Sequence, residues 1–107
     1  MERETFSRDD IAYIRRRTLI FSQKWTINIV LALPRDGQEG IGFNELMKRL
    51  DGISAAVLSG RLKGLQKMGY VERRVQNGPP TRTKYALVGK AGYLIQTANR
   101  ILDRRDG

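Results

Sequence analysis

The chain contains neither cysteine nor histidine. Together these absences exclude disulfides, thiol nucleophiles, Cys/His zinc sites and imidazole acid–base chemistry. Long apolar runs are also missing. The longest, Ile29 to Leu33, falls far short of the ~20 residues a membrane-spanning helix needs. Met1-Glu2-Arg3-Glu4 holds no apolar stretch that reads as a secretory signal. There is no internal repeat, no low-complexity tract and no linker long enough to divide the chain. What is present is one domain's length, 107 residues, of which 40% are apolar and 29% charged, a balance typical of a folded domain rather than a disordered one. Lys and Arg number 20 against 11 acids, a formal net charge of +9. The expectation is a soluble, intracellular, non-enzymatic basic domain with no metal or cofactor. A polyanion is its expected partner, with nucleic acid first.

The charge is clustered. Residues 54–84 hold Arg61, Lys63, Lys67, Arg73, Arg74, Arg82 and Lys84 against Glu72 alone, a net +6. Solubility alone would not require such clustering. The acids elsewhere, among them Asp36, Glu39, Glu45 and Asp51, show no spacing that marks a paired acid–base site.

Hydrophobic spacing and turn chemistry predict a mainly α fold with a small β-hairpin. Ser7, with Asp10 three residues on, predicts a capped first helix carrying Ile11, Ile14 and Leu19. Lys24 to Leu33 predicts a buried central helix, because Trp25, Ile27, Ile29, Val30, Leu31 and Leu33 cover most of its circumference. Pro34 ends it and Arg35-Asp36-Gly37 turns the chain. Ile41-Gly42-Phe43 reads as a short extended piece. Asn44 then caps a short helix, Glu45 to Leu50. After the Asp51-Gly52-Ile53 turn, Ser54 caps a fourth helix that ends at Gly69. Tyr70 to Val75 and Thr81 to Leu87 read as strands joined through a Gln76-Asn77-Gly78-Pro79-Pro80 tip. A last helix spans Lys90 to Arg104, with Ala91, Leu94, Ile95, Ala98, Ile101 and Leu102 at helical spacing. A short helix joined to a longer one by a tight Gly-containing turn is a helix-turn-helix. The basic hairpin after it makes a wing. The organisation expected is one winged helix-turn-helix domain over 1–107, with the helix-turn-helix at 44–69, the wing at 70–87, and terminal segments 1–22 and 90–107.

On a helical wheel of about 100° per residue, Leu58, Leu62 and Leu65 define the inner stripe of the fourth helix. The opposite arc carries Ala56, Ser59, Gly60, Lys63, Gln66 and Lys67, small early, basic late and free of acids. Small residues let a helix approach a groove closely, and lysines reach phosphates. Gly60 and Gly64 each cost roughly 1 kcal/mol relative to Ala inside a helix. Close approach to DNA and close helix packing both account for Gly60, and packing better accounts for Gly64. Arg61 lies near the buried edge, where it either pairs with an internal acid or reaches a phosphate. In the hairpin, alternation sends Arg73 and Arg74 to opposite faces. The charges of Arg73, Arg74, Arg82 and Lys84 suit phosphates or a minor groove, or else guard an exposed strand edge. The last helix has two apolar stripes, Leu94/Ala98/Ile101 and Ala91/Ile95/Leu102. One can pack on its own domain and the other on a partner helix.

These residues resemble the HxlR-type family of winged helix-turn-helix transcriptional regulators. The resemblance rests on Lys24-Trp25, on Phe43 with Leu46, and on Gly52-Ile53-Ser54 followed by Leu58-Ser59-x-Arg61-Leu62-Lys63-x-Leu65. It continues through Gly69-Tyr70-Val71-Glu72-Arg73 to Pro80 and Tyr85-x-Leu87. It implies a prokaryotic, cytoplasmic, nucleoid-associated homodimer that binds double-stranded DNA. The recognition helix would lie in the major groove and the wing beside the backbone. By position, Ser54, Ala55, Ala56, Ser59, Gly60, Arg61, Lys63 and Lys67 would belong to the groove surface, and Arg73, Arg74, Arg82 and Lys84 to the wing. The first and last helices, through Ile11, Ile14, Leu94, Ile95, Ala98, Ile101 and Leu102, would form the dimer interface. The chain departs from the family in three respects. It lacks the N-terminal Cys by which many members sense oxidants. It has Val88 where Thr usually caps the last helix, with Ala91-Gly92 where one Gly is usual. It has Ala55-Ala56 where polar base readers are frequent. A sequence-tolerant DNA binder and a winged-helix protein-interaction module remain as rival readings. No membrane partner is expected, and no effector is indicated.

Overall fold

The computed structural model describes residues 2–35 and 39–105. Five helices and a three-stranded antiparallel sheet follow the order α1 (Arg8–Thr18), α2 (Thr26–Ala32), β1 (Ile41–Gly42), α3 (Phe43–Arg49), α4 (Ala55–Lys67), β2 (Val71–Gln76), β3 (Arg82–Leu87) and α5 (Gly92–Asp103). Short 3₁₀ turns, Leu19–Ser22 and Gly89–Ala91, precede α2 and α5. The sheet order is β1-β3-β2, so the returning strand of the hairpin is central. Ile41 pairs with Tyr85 and Gly42 with Lys84, which makes the short extended piece a true edge strand.

The α1 start has the expected capping box. The Asp10 N–H donates to Ser7 Oγ at 3.0 Å, and the Ser7 N–H donates to Asp10 Oδ2 at 3.0 Å. These bonds satisfy two donors that a helix N-terminus otherwise leaves open. They and the Arg3 guanidinium, 2.8 Å away, hold the Asp10 carboxyl below its ordinary range, the Ser7 backbone bond being the largest cause. No residue of α1 is buried. Its helical turns stop at Thr18, and Leu19 lies exposed in the 3₁₀ turn rather than on the helix.

The core is assembled from α2, β1, α3, α4, the wing and the 3₁₀ turn before α5, with Leu94 and Ile95 of α5 packed against it. Ile29 and Val30 of α2, Leu46 of α3, Leu58, Leu62 and Leu65 of α4, and Tyr70, Val71, Tyr85 and Leu87 of the wing form one cluster. Each buried Leu is worth about 1.5–3 kcal/mol relative to exposure, so the three α4 leucines dock that helix firmly.

Three helices have limits that differ from those the sequence predicts. The central helix is shorter than Lys24 to Leu33. It begins at Thr26 because Trp25 adopts a left-handed backbone, φ +79°. It stops at Ala32 because Leu33 is extended, as a residue before proline prefers. Only one side of α2 is inward, and Ile27 and Leu31 are 54% and 52% exposed instead of buried. The third helix starts at Phe43, not behind an Asn44 cap. Gly42 ends its pairing with β3 and takes the boundary position itself. The last helix starts at Gly92 rather than Lys90, because Val88 offers no side-chain cap and the chain first makes a 3₁₀ turn that buries Ala91. Of the predicted Arg35-Asp36-Gly37 turn, Asp36 and Gly37 lie outside the described residues.

Thr26 is fully buried, and its hydroxyl has no hydrogen-bond partner among the described residues. An unpaired buried hydroxyl costs about 1–3 kcal/mol. Thr26→Val, of equal shape, is therefore expected to stabilise the fold by about 1 kcal/mol in urea denaturation. The lowered Asp10 carboxyl fixes a second expectation. Its contribution to α1 is complete above the unfolded carboxylate range and is lost as pH falls through the lower folded value. The Ser7 and Asp10 amide resonances should therefore leave their capped positions with a midpoint below that of an ordinary aspartate, as an acid titration followed by NMR would show.

Candidate nucleic-acid interface

Helix α4 follows α3 through a tight turn at Gly52, whose φ of +96° suits glycine. Ser54 caps α4, its Oγ accepting from the Val57 N–H at 3.1 Å. Gly69 closes the far end at φ +76°, and the Tyr70 N–H returns to the Leu65 carbonyl at 3.0 Å. Between these caps the leucine stripe faces inward, while Ser54, Ala55, Ala56, Gly60, Lys63 and Lys67 are exposed. Ser59 is half-buried at the margin of this face. Nothing among the described residues approaches within 4 Å of the place a Gly60 β-carbon would take, so no packing contact explains this glycine. At Gly64 a β-carbon would meet Ile20 Cδ1 at 3.3 Å, and close packing does explain that one.

Arg61 is half-buried and does not pair with an internal acid among the described residues, one of the two expectations for its side chain. Its Nε instead donates to the Lys24 carbonyl at 2.9 Å. This bond ties α4 to the entry of α2, one residue before the left-handed Trp25. The Lys24 ammonium sits 5.8 Å from the Trp25 ring centroid, and the same ring flanks Gly52. Spacing along the sequence gives no sign of this link.

The wing register pairs Arg74 with Lys84, Gln76 with Arg82, and Arg73 with Tyr85. Cross-strand partners share a face, so Arg74, Arg82 and Lys84 lie on one side and Arg73 on the other. The four cations are not equally available. Arg74 Nε donates to Glu72 at 3.0 Å. Lys84 Nζ is paired with Glu39, just before β1, and this contact draws the Glu39 carboxyl below its ordinary range. Spacing along the sequence gives no sign of this pair, whose members lie 45 residues apart. Arg73 and Arg82 are exposed and form no hydrogen bond or salt bridge with any described residue. The free cations thus run along the outer face of α4, at Lys63 and Lys67, and out along the ribbon.

The surface expected to join two copies is spread over three helices. Ile11 and Ile14 on α1 are about half exposed, and Ile101 and Leu102 on α5 are 65% and 53% exposed. Leu94 and Ile95 instead pack partly against their own core, and Ala98 is half-buried. Phe21, Ile27 and Leu31 join Leu94, Ala98 and Ile101 around an apolar groove of about 370 Å³. Ile27 and Leu31 escaped the sequence reading because an apolar residue on a short helix looks the same whether its own core or another surface covers it.

A helix-turn-helix followed by a two-stranded basic ribbon, closed at its base by a third strand, defines a winged helix-turn-helix domain. The chain belongs to the HxlR-like helix-turn-helix family, which matches residues 20–103. It is 35% identical over 72 residues to the HTH-type transcriptional regulator BH0655 of Halalkalibacterium halodurans, a match covering 67% of this chain and 62% of that one. It is 38% identical over 82 residues to the HTH-type regulator YvaP of Bacillus subtilis, covering 77% of this chain and 73% of that one. The fold superposes on the reduced form of the transcriptional regulator YodB from B. subtilis with a TM-score of 0.74, at 22% identity over 95% of this chain and 93% of that one. Fold and family are those of regulators rather than enzymes.

Two substitutions separate structural from binding roles on α4. Gly60→Ala should stabilise the isolated protein by roughly 0.5–1 kcal/mol, since the site is open and helical, while weakening its binding to duplex DNA. A gain in stability with unchanged DNA affinity would remove Gly60 from the interface. Arg61→Ala should lower stability by about 1 kcal/mol through the lost bond to Lys24. Thermal unfolding monitored at Trp25 measures it.

Proposed function

We propose that this protein is a transcriptional regulator that binds double-stranded DNA as a homodimer, with α4 in the major groove and the wing on the backbone or in a minor groove. One observation carries this reading. The outward face of α4 is acid-free, small at Ala56 and Gly60, basic at Lys63 and Lys67, and unobstructed above Gly60. That shape lets a helix backbone approach base edges while its far end meets phosphates. The names of BH0655 and YvaP, both HTH-type transcriptional regulators, agree with it.

In this reading Ser54, Ala55, Ala56, Ser59, Gly60, Lys63 and Lys67 belong to the groove surface. Arg73 and Arg82 are the principal wing contacts. Arg74 and Lys84 contribute less, because Glu72 and Glu39 already neutralise them. Arg61 acts by holding α4 in place. The dimer is formed by α1 and α5 through Ile11, Ile14, Ala98, Ile101 and Leu102, with Leu94 and Ile95 behind them. Ile27 and Leu31 of α2 extend this surface. A twofold dimer places its recognition helices about 34 Å apart, one turn of DNA, and so favours palindromic sites.

The exposed Ala55-Ala56 pair favours a second reading, in which binding tolerates many sequences and depends on thymine methyls and DNA shape. Fluorescence anisotropy on duplex DNA across a salt series tests the main proposal. Binding should weaken steeply with salt. The Arg73→Ala/Arg82→Ala pair should lower the log–log slope by roughly two, at about 0.9 per lost phosphate contact. Lys84→Ala should change it less than either arginine does. No binding at about 50 mM salt, where even non-specific complexes hold, would overturn the proposal. A footprint spread evenly over the duplex would select the sequence-tolerant reading. In sedimentation, wild type should run as a dimer and Leu31→Asp/Ile101→Asp as a monomer.

A further inference from the structure

A second concave site lies away from α4 and the wing tip. It is a cavity of about 390 Å³ between α1 and the start of α5, lined by Tyr13, Ile14, Arg17, Tyr70, Lys90 and Tyr93. That volume lies at the lower end of small-molecule pockets. Its chemistry differs from the apolar groove beside α2. Two cations and three phenols border it, and among the described residues no carboxylate does. Neither Arg17 nor Lys90 has an acidic partner among the described residues.

The wall is organised. The Tyr70 ring is buried, and its hydroxyl lies 2.6 Å from the Tyr93 hydroxyl. Their rings meet edge to face, with centroids 6.1 Å apart and planes at 68°. Burial and this bond push the Tyr93 phenol up to about 12, so it stays a neutral hydrogen-bonding group at physiological pH. The Arg17 guanidinium sits 5.1 Å from the Tyr13 ring centroid, within the range of a cation–π contact. On the far side the Lys90 ammonium lies over Gly69, whose left-handed backbone closes the end of α4.

Cations without an acidic partner among the described residues, facing an aromatic-walled cavity, suit an anion with a flat apolar body. We infer that this cavity is a binding site for a small aromatic carboxylate, its charged end held by Arg17 and Lys90 and its ring against Tyr13, Tyr93 and Ile14. A guanidinium offers the bidentate geometry that carboxylates take. A bare inorganic anion would leave the aromatic walls unused, and a neutral ring would leave the cations unmatched.

The test uses the full chain without DNA, so its result is independent of the proposed DNA binding. Benzoate is titrated into isotopically labelled protein while amide resonances are followed, with benzamide and sulfate as controls at matched ionic strength. Benzoate should give saturable shifts centred on Gly69, Tyr70 and Tyr93. Arg17→Gln and Lys90→Gln should each raise its apparent Kd about tenfold, the scale of one charged hydrogen bond. Lys90 is exposed and makes no hydrogen bond to a described residue, so its variant should fold even if the Arg17 variant does not. Equal shifts with sulfate, equal shifts with benzamide, unchanged affinity in Lys90→Gln, or no saturable shift with benzoate would each overturn the proposal. The last is the result expected if a second copy of the chain fills the cavity.

Discussion

The bond from Arg61 Nε to the Lys24 carbonyl joins the two helices on which the domain's geometry depends. It reaches across the fold to a backbone strained at its next residue. A left-handed conformation at a bulky residue costs about 1–3 kcal/mol and persists only where the surroundings over-determine it. At Trp25 they do. The preceding carbonyl is held by Arg61, the ring is covered by Lys24, and the Gly52 turn leaves room beside it. The α2 entry, the turn and α4 therefore form one rigid corner. The exposed face of α4 inherits its orientation from that corner as much as from its leucines.

Local features were legible in the sequence, and long-range ones were not. The Ser7–Asp10 box and the Ser54 cap follow from residue types a few positions apart, and both stand as read. The leucine stripe of α4 and the two wing strands likewise follow from period. The left-handed Trp25 carries no such signal, since a bulky residue there contradicts local preference. Glu39 with Lys84, and Arg61 with Lys24, are separated by 45 and 37 residues. Only the assembled fold shows that these cations are engaged. Gly60 and Gly64 share one composition argument, and their surroundings alone tell them apart. The Asn44 cap and the Lys90 helix start fail for a common reason: a neighbouring strand or turn, not a side-chain cap, sets where those helices begin.

The formal charge of +9 is accordingly a poor measure of the surface available to a polyanion. It is a net figure in which ion pairs already cancel, and it does not say which of the 20 basic side chains are engaged, as Arg74 is with Glu72, Lys84 with Glu39, Arg3 with Asp10, Arg49 with Glu45 and Arg100 with Glu2. Lys63, Lys67, Arg73 and Arg82 are left along one helix face and the ribbon beyond it. Position, not the total, separates anchoring cations from those free to meet a ligand.

The two-residue strand β1 has a topological effect out of proportion to its length. By pairing with Tyr85 and Lys84 it closes the intervening chain, helix-turn-helix included, into a single loop. The hairpin β2–β3 needs only neighbours in sequence, whereas β1 must bring distant segments together and bear the entropy of that closure. On assembly the ribbon can therefore form before the loop is shut. In the finished domain this small edge ties the ribbon to the segment that carries α3 and α4, so the helix-turn-helix and its wing are joined through the sheet as well as through the core.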